Sequence, residues 1–152
     1  MKWQFSIGAV TGVLLDRLSV RGVLEQKNKE LESAKEKFLV LGEWLTMLEQ
    51  GKTVADALKE RGISVIAIYG MGVLGCHLYQ QLKNSGIFVS HIIDQKPLKG
   101  IYEAKVCGIK EKLPGVEAVI VTPVYQFETI RDEIRKYNDV VVISLRDLLE
   151  QD

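Results

Sequence analysis

From Leu24 onward the chain places a large apolar residue at every seventh position, Leu24, Leu31, Phe38 and Leu45, while Ala34, Leu41 and Leu48 fill a companion position. This spacing predicts a long amphipathic helix with one apolar seam. Glu25 stands four residues before Lys29 and Glu32 three before Lys35. Such pairs support a helix locally by roughly a few tenths of a kcal/mol each. Two partners suit the seam: the chain's own domain, or a second copy in a short coiled coil or bundle. A helix of about 25 residues is long for so small a chain, which favours the second copy.

Upstream, Trp3, Ile7, Val10, Leu14 and Leu18 recur at helical spacing, diluted by Gly8, Gly12 and Gly22. The run from Trp3 to Leu15 is a poor signal peptide. Gln4, Ser6 and Thr11 interrupt it, and Asp16 and Arg17 end it short of the roughly 20 residues a membrane span needs. A packed or interfacial segment fits better. Gly51 ends the long helix, and Thr53 with Asp56 forms a capping-box pattern for a short helix that Gly62 closes. Gly51-Lys52-Thr53 resembles the end of a P-loop, but Thr46 stands where that loop needs a glycine and a helix runs where it needs a strand.

The pattern then changes. Val65–Tyr69, Phe88–Asp94, a short stretch around Val106, Ala118–Thr122 and Val140–Ile143 are apolar runs of strand type. Leu74, Leu78 and Leu82 mark one helix between them, and Phe127, Ile130, Ile134 and Tyr137 mark another. A turn-rich stretch holds Pro97 and Gly100, and Ser144 with Asp147 caps a final turn. Continuous apolar runs mean strands buried on both faces, as in a parallel sheet flanked by helices. Right-handed crossovers then give the strand order 3-2-1-4-5. The expected architecture is a three-layer α/β domain over residues 51–152, with a helical arm over residues 1–50.

In that topology a crevice opens at the carboxyl end of the first strand, where the chain reverses its direction of winding. Gly70-Met71-Gly72-Val73-Leu74-Gly75 falls there, a G-x-G-x-x-G between a strand and a helix. Gly70 suits the tight turn, Gly72 close approach of backbone to a pyrophosphate, and Gly75 close packing of helix on strand. Free N–H groups at the helix start face the phosphates. Asp94, nineteen residues after Gly75, is placed to accept ribose hydroxyls and to favour NAD over NADP, with Lys96 close by. Thr122 and Tyr125 follow the fourth strand on the same edge and are candidates for the crevice wall; Tyr69 is core or wall. The plain alternatives are a strand-to-helix turn for the glycines and a turn-forming role for Asp94.

Among 152 residues, 20 Lys and Arg balance 20 Asp and Glu, so no basic field points to nucleic acid, and phosphate binding must be local. Cys76 and Cys107, with His77 and His91, offer no metal-ligand spacing, and the thiols suit a reducing cytoplasm. Cys76 lies near the helix start, where a thiol can become reactive, although small buried filler is the plainer role. Both histidines read as surface or half-buried. Tyr79 and Lys83 have the Y-x-x-x-K spacing of short-chain dehydrogenases but sit on the wrong helix, and Ile68-Tyr69 replace the acidic residue a methyltransferase carries before its first glycine.

The run Ile66–Gly75, Ile93-Asp94, Val119–Pro123 and the closing Val142–Leu145 resemble small bacterial Rossmann-like domains found alone or fused to transferases in capsular and exopolysaccharide gene clusters. These are similar in plan to the N-terminal nucleotide-sugar-binding domain of bacterial sugar acyltransferases. The resemblance spans about Lys52 to Leu149. It implies nucleotide or nucleotide-sugar binding, and no acyl transfer, since the hexapeptide-repeat domain is missing. Three functions follow as expectations: an accessory nucleotide-binding module of surface-polysaccharide synthesis, self-associating through its N-terminal helices and serving a transferase partner; an NAD-dependent dehydrogenase or sugar-nucleotide-modifying subunit using Tyr125 or Cys76; or an oligomeric scaffold with a degenerate pocket.

Overall fold

The computed structural model describes residues 7–95 and 102–150, with the side chains of residues 7–18 excepted. The start of the Trp3–Leu15 run, Lys96, and the turn with Pro97 and Gly100 lie outside the described residues. The chain divides into two compact units, Met1–Lys35 and Glu36–Asp152. The division falls inside the long helix α1 (Ile7–Glu49).

The reason is that the last part of α1 belongs to the core of the second unit. Val40, Trp44 and Met47, spaced four and three apart, are buried there with Val54, Ala55 and Leu58 of α2 (Val54–Glu60). This stripe is a second apolar face of α1. The residues of the sevenfold repeat, by contrast, are exposed: Leu24 and Leu31 in the first unit, Phe38 and Leu45 in the second. Within the second unit, the core therefore leaves Phe38 and Leu45 uncovered. In the first unit α1 carries the ion pairs Lys27–Glu30 at 3.0 Å and Lys35–Glu32 at 2.8 Å.

In the second unit, α2 starts on the expected capping box. The Thr53 hydroxyl accepts the Asp56 amide at 3.2 Å and the Asp56 carboxylate accepts the Thr53 amide at 2.9 Å. The Thr53 hydroxyl, which lies 2.7 Å from Asp56 Oδ2, and then the Thr53 amide hold the Asp56 carboxyl below its usual range. The core is a five-stranded sheet of β1 (Val65–Tyr69), β2 (Phe88–Ile93), β3 (Lys105–Cys107), β4 (Ala118–Val121) and β5 (Val141–Ser144). Every neighbouring pair is parallel, in the order β3-β2-β1-β4-β5. The fold is a Rossmann-like three-layer α/β arrangement preceded by a long helix.

Alternation along each strand sends Ile66 and Ile68, with Ala118 and Ile120, to one face, which is covered by α1, α2, α3 (Val73–Leu82) and α5 (Leu145–Leu149). Ala67, Val119, Val121 and Val142 go to the other face, covered by α4 (Phe127–Arg135) and the segment around Leu113. One register shift opposes Ser90 to the Ile66/Ala67 step, and the Ser90 hydroxyl donates to the Ile66 carbonyl at 3.2 Å. At the amino edge the Glu117 carboxylate accepts the amides of Ser64 at 2.6 Å and Val65 at 2.9 Å, which fixes β1 against β4. Those bonds hold the Glu117 carboxyl low. The glycine loop thus emerges between two anchored central strands.

Candidate functional site

Each glycine of the loop meets a different demand. Gly70 has φ +86°, and a Cβ there would lie 2.9 Å from Pro123 Cδ and 3.0 Å from Thr122 Oγ1. Only glycine satisfies both the left-handed backbone and the close neighbour. At Gly75 a Cβ would lie 2.0 Å from the Gly70 carbonyl oxygen, so the first turn of α3 rests directly on the loop. Gly72 is the N-cap of α3, in extended conformation, with no side-chain cap and nothing within 4 Å of where its Cβ would be. Above it lies open space, bordered by the amide donors that begin a helix.

Thr122 and Asp94 brace this loop from two sides. The Thr122 hydroxyl lies 2.7 Å from the Gly70 carbonyl and 3.1 Å from that of Tyr69, and its amide donates to the Tyr69 carbonyl. Thr122 is buried, so it stands behind the loop and not on the crevice wall. Asp94 Oδ2 accepts the Met71 amide at 2.7 Å, and the Gly70 amide donates to the Ile93 carbonyl at 3.0 Å. The end of β2 is thereby tied to the end of β1. One loop amide is committed to a carboxylate, which leaves the α3 start as the place for an anion.

A cavity of about 590 Å³ opens at the carboxyl ends of the strands. Its wall comprises Tyr69 and Gly70 from β1, Asp94 and Gln95 after β2, Gly108 and Ile109 after β3, and Pro123, Gln126, Thr129, Ile130 and Glu133 on the α4 side. Burial, with the Asp94 charge adding, raises the Tyr69 hydroxyl above its ordinary value. Of the residues expected from the sequence, Gly70 and Asp94 line the cavity. Met71, Gly72 and Val73 form the loop and the exposed helix start, whereas Leu74 and Gly75 are buried beneath it. Tyr125, 48% exposed on the 3-10 turn Val124–Gln126, is not part of the described lining. The α4 contribution was missed; its signal was the polar positions Gln126, Thr129 and Glu133 flanking the Phe127, Ile130, Ile134 stripe.

On the α3 side, Cys76 is half-buried, its Sγ 3.5 Å from the Met71 carbonyl and 3.6 Å from the Tyr102 hydroxyl. Contact with the thiol, and then burial, pushes the Tyr102 hydroxyl up to about 12. Tyr102 packs edge-on to Tyr79 with ring centroids 5.0 Å apart, and the Tyr79 hydroxyl accepts the Glu103 amide at 3.0 Å. Lys83 lies 5.5 Å over the Tyr79 ring. The Y-x-x-x-K pair is thus a packing element. His77 is exposed, while His91 is buried, beyond the half-burial expected, because β2 turns it inward beside Ser90 Oγ at 3.0 Å. Burial, and then Lys105, holds its imidazole below the ordinary value.

Among the described residues, no group of three His, Cys, Asp or Glu is placed to hold a metal ion, and no helix is long and apolar enough to cross a membrane. Comparison with protein-family models, with curated proteins and with solved structures finds no match to this chain.

Proposed function

We propose that the chain is a nucleotide-binding module that takes NAD or a nucleotide-sugar at the Gly70–Gly75 loop. The observation that carries this reading is the uncapped start of α3. Natural helices satisfy their first amides with a side chain, with water or with a ligand, and here the N-cap is a glycine with open space above it. A phosphate is suited to those donors and to the positive end of the helix. Val73 and Gly72 would receive it, and Gly70 and Gly75 would hold the turn that presents them.

Asp94 and the cavity wall supply the second half of the reading. Asp94 braces the loop through the Met71 amide and stands on the cavity wall, where a carboxylate suits a ribose hydroxyl and disfavours a 2′-phosphate. The carboxamides of Gln95 and Gln126 and the Thr129 hydroxyl suit sugar hydroxyls or a base edge. The resemblance to domains of surface-polysaccharide clusters adds a setting, that of an accessory subunit to a transferase in the cytoplasm. Native mass spectrometry of gently purified protein tests the proposal. A retained nucleotide, or mass added on incubation with NAD or UDP-sugars, supports it; a bare chain under both conditions counts against it.

A further inference from the structure

The exposed side of α1 carries an unusual load. Val20, Leu24, Leu31, Phe38, Leu41, Leu45 and Leu48 are all exposed, Phe38 at 77% and Leu45 at 57%. With Leu24 as a heptad a position, Leu31, Phe38 and Leu45 are a, and Val20, Ala34, Leu41 and Leu48 are d. Lys27 is the polar member of this series. The residues buried in the chain's own core, Val40, Trp44 and Met47, occupy c and g, so covering them leaves the a/d seam open. A strict 3.5-residue period is what a supercoiled partner helix requires, and a globular core does not require it.

We infer that the seam is the interface of a parallel, two-stranded coiled coil between two copies of this chain. Charge complementarity selects this partner and this direction. In a parallel pair, g of one helix faces e of the next heptad on the other, which sets Glu30 against the partner copy's Lys35, twice by symmetry. An antiparallel pair overlapping the whole span would match Leu24 with Leu48 and Leu31 with Leu41. It would also set Lys35 against Lys35 and Lys37 against Lys37. Glu30, Lys35 and Lys37 flank the central heptads of the stripe, as in a two-stranded pair, with Val23 the exposed apolar residue at g. Glu30 and Lys35 now pair within their own helix, with Lys27 and Glu32, in exposed contacts that exchange at little cost.

This inference is independent of nucleotide binding. Sedimentation equilibrium on the full chain tests it, with far-UV circular dichroism to confirm that each variant keeps its helix. The wild type is expected at twice the chain mass at micromolar concentration, and the Phe38→Glu, Leu45→Glu double variant at the chain mass; neither side chain is in the core. Glu30→Lys and Lys35→Glu should each weaken the dimer about tenfold, and the two together should restore it. A monomeric or higher-order wild type overturns the inference. So does a Lys35→Glu chain that associates more tightly, or a double charge swap that fails to restore association, since both contradict the parallel pairing.

Discussion

The glycine loop and the α1 seam are both surfaces that the fold leaves unsatisfied, and they are made in opposite ways. The loop is specified by missing side chains: no Cβ at Gly70 or Gly75 lets strand, helix and Pro123 close in, and none at Gly72 leaves amides uncovered. The seam is specified by repeated side chains, Leu24, Leu31, Phe38 and Leu45, all of them exposed. The first exposes polar backbone beside a cavity, the geometry of a small-ligand site. The second exposes a linear apolar stripe, the geometry of a helix partner. The proposed nucleotide site and the proposed helix interface can therefore be broken separately.

The sharpest break is at Gly75. Alanine there collides with backbone at 2.0 Å, so Gly75→Ala is expected to cost about 3 kcal/mol or more in urea denaturation, or to prevent folding. Trp44→Ala should follow at about 3 kcal/mol, since it empties a buried aromatic site on the docked face of α1. A small loss would mean that α1 is held by its ends and not by that face. Thr122→Val, which keeps the shape but deletes the hydroxyl that meets the Gly70 and Tyr69 carbonyls, should cost about 1–2 kcal/mol.

A smaller effect depends on pH. The folded His91 imidazole is held below its ordinary 6.5 by burial, so the unfolded chain takes up the proton first. Its contribution to stability is complete above the unfolded value and is lost as pH falls through the folded one. Denaturation measured between roughly pH 7.5 and 5 should therefore show a steeper decline for wild type than for His91→Gln. Equal slopes would show that His91 is not desolvated. Smallest of all is Gly72→Ala, which meets no neighbour and has ordinary backbone angles but puts a poorer residue at the N-cap, and should cost less than about 1 kcal/mol.

The strand runs, their order and the roles of Gly70 and Gly75 were legible because strand burial and glycine sterics are local and directional. The docked face of α1 was not. Val40, Trp44 and Met47 lie on the same helix as a stronger sevenfold repeat, and periodicity reports the larger signal. Asp94 and Thr122 stand at the ends of β2 and β4, where polar side chains can turn either way. Their bonds to Met71 and Gly70 depend on how closely β1, β2 and β4 approach, which spacing does not encode. His91, expected at the surface or half-buried, is buried because it lies in a strand of a sheet covered on both faces. The polar rim from α4 became visible only once that helix was placed over the sheet.

Isothermal titration of the full chain with NAD, NADP, UDP-sugars, CoA and S-adenosylmethionine tests the nucleotide-binding account most directly, with Gly72→Asp as the paired variant. Saturable binding of at least one nucleotide is expected, together with its loss in Gly72→Asp, whose thermal unfolding should lie at or above that of the wild type because an aspartate at the N-cap satisfies amides at the start of α3. Absence of binding to every compound, or equal binding by the variant, would contradict it.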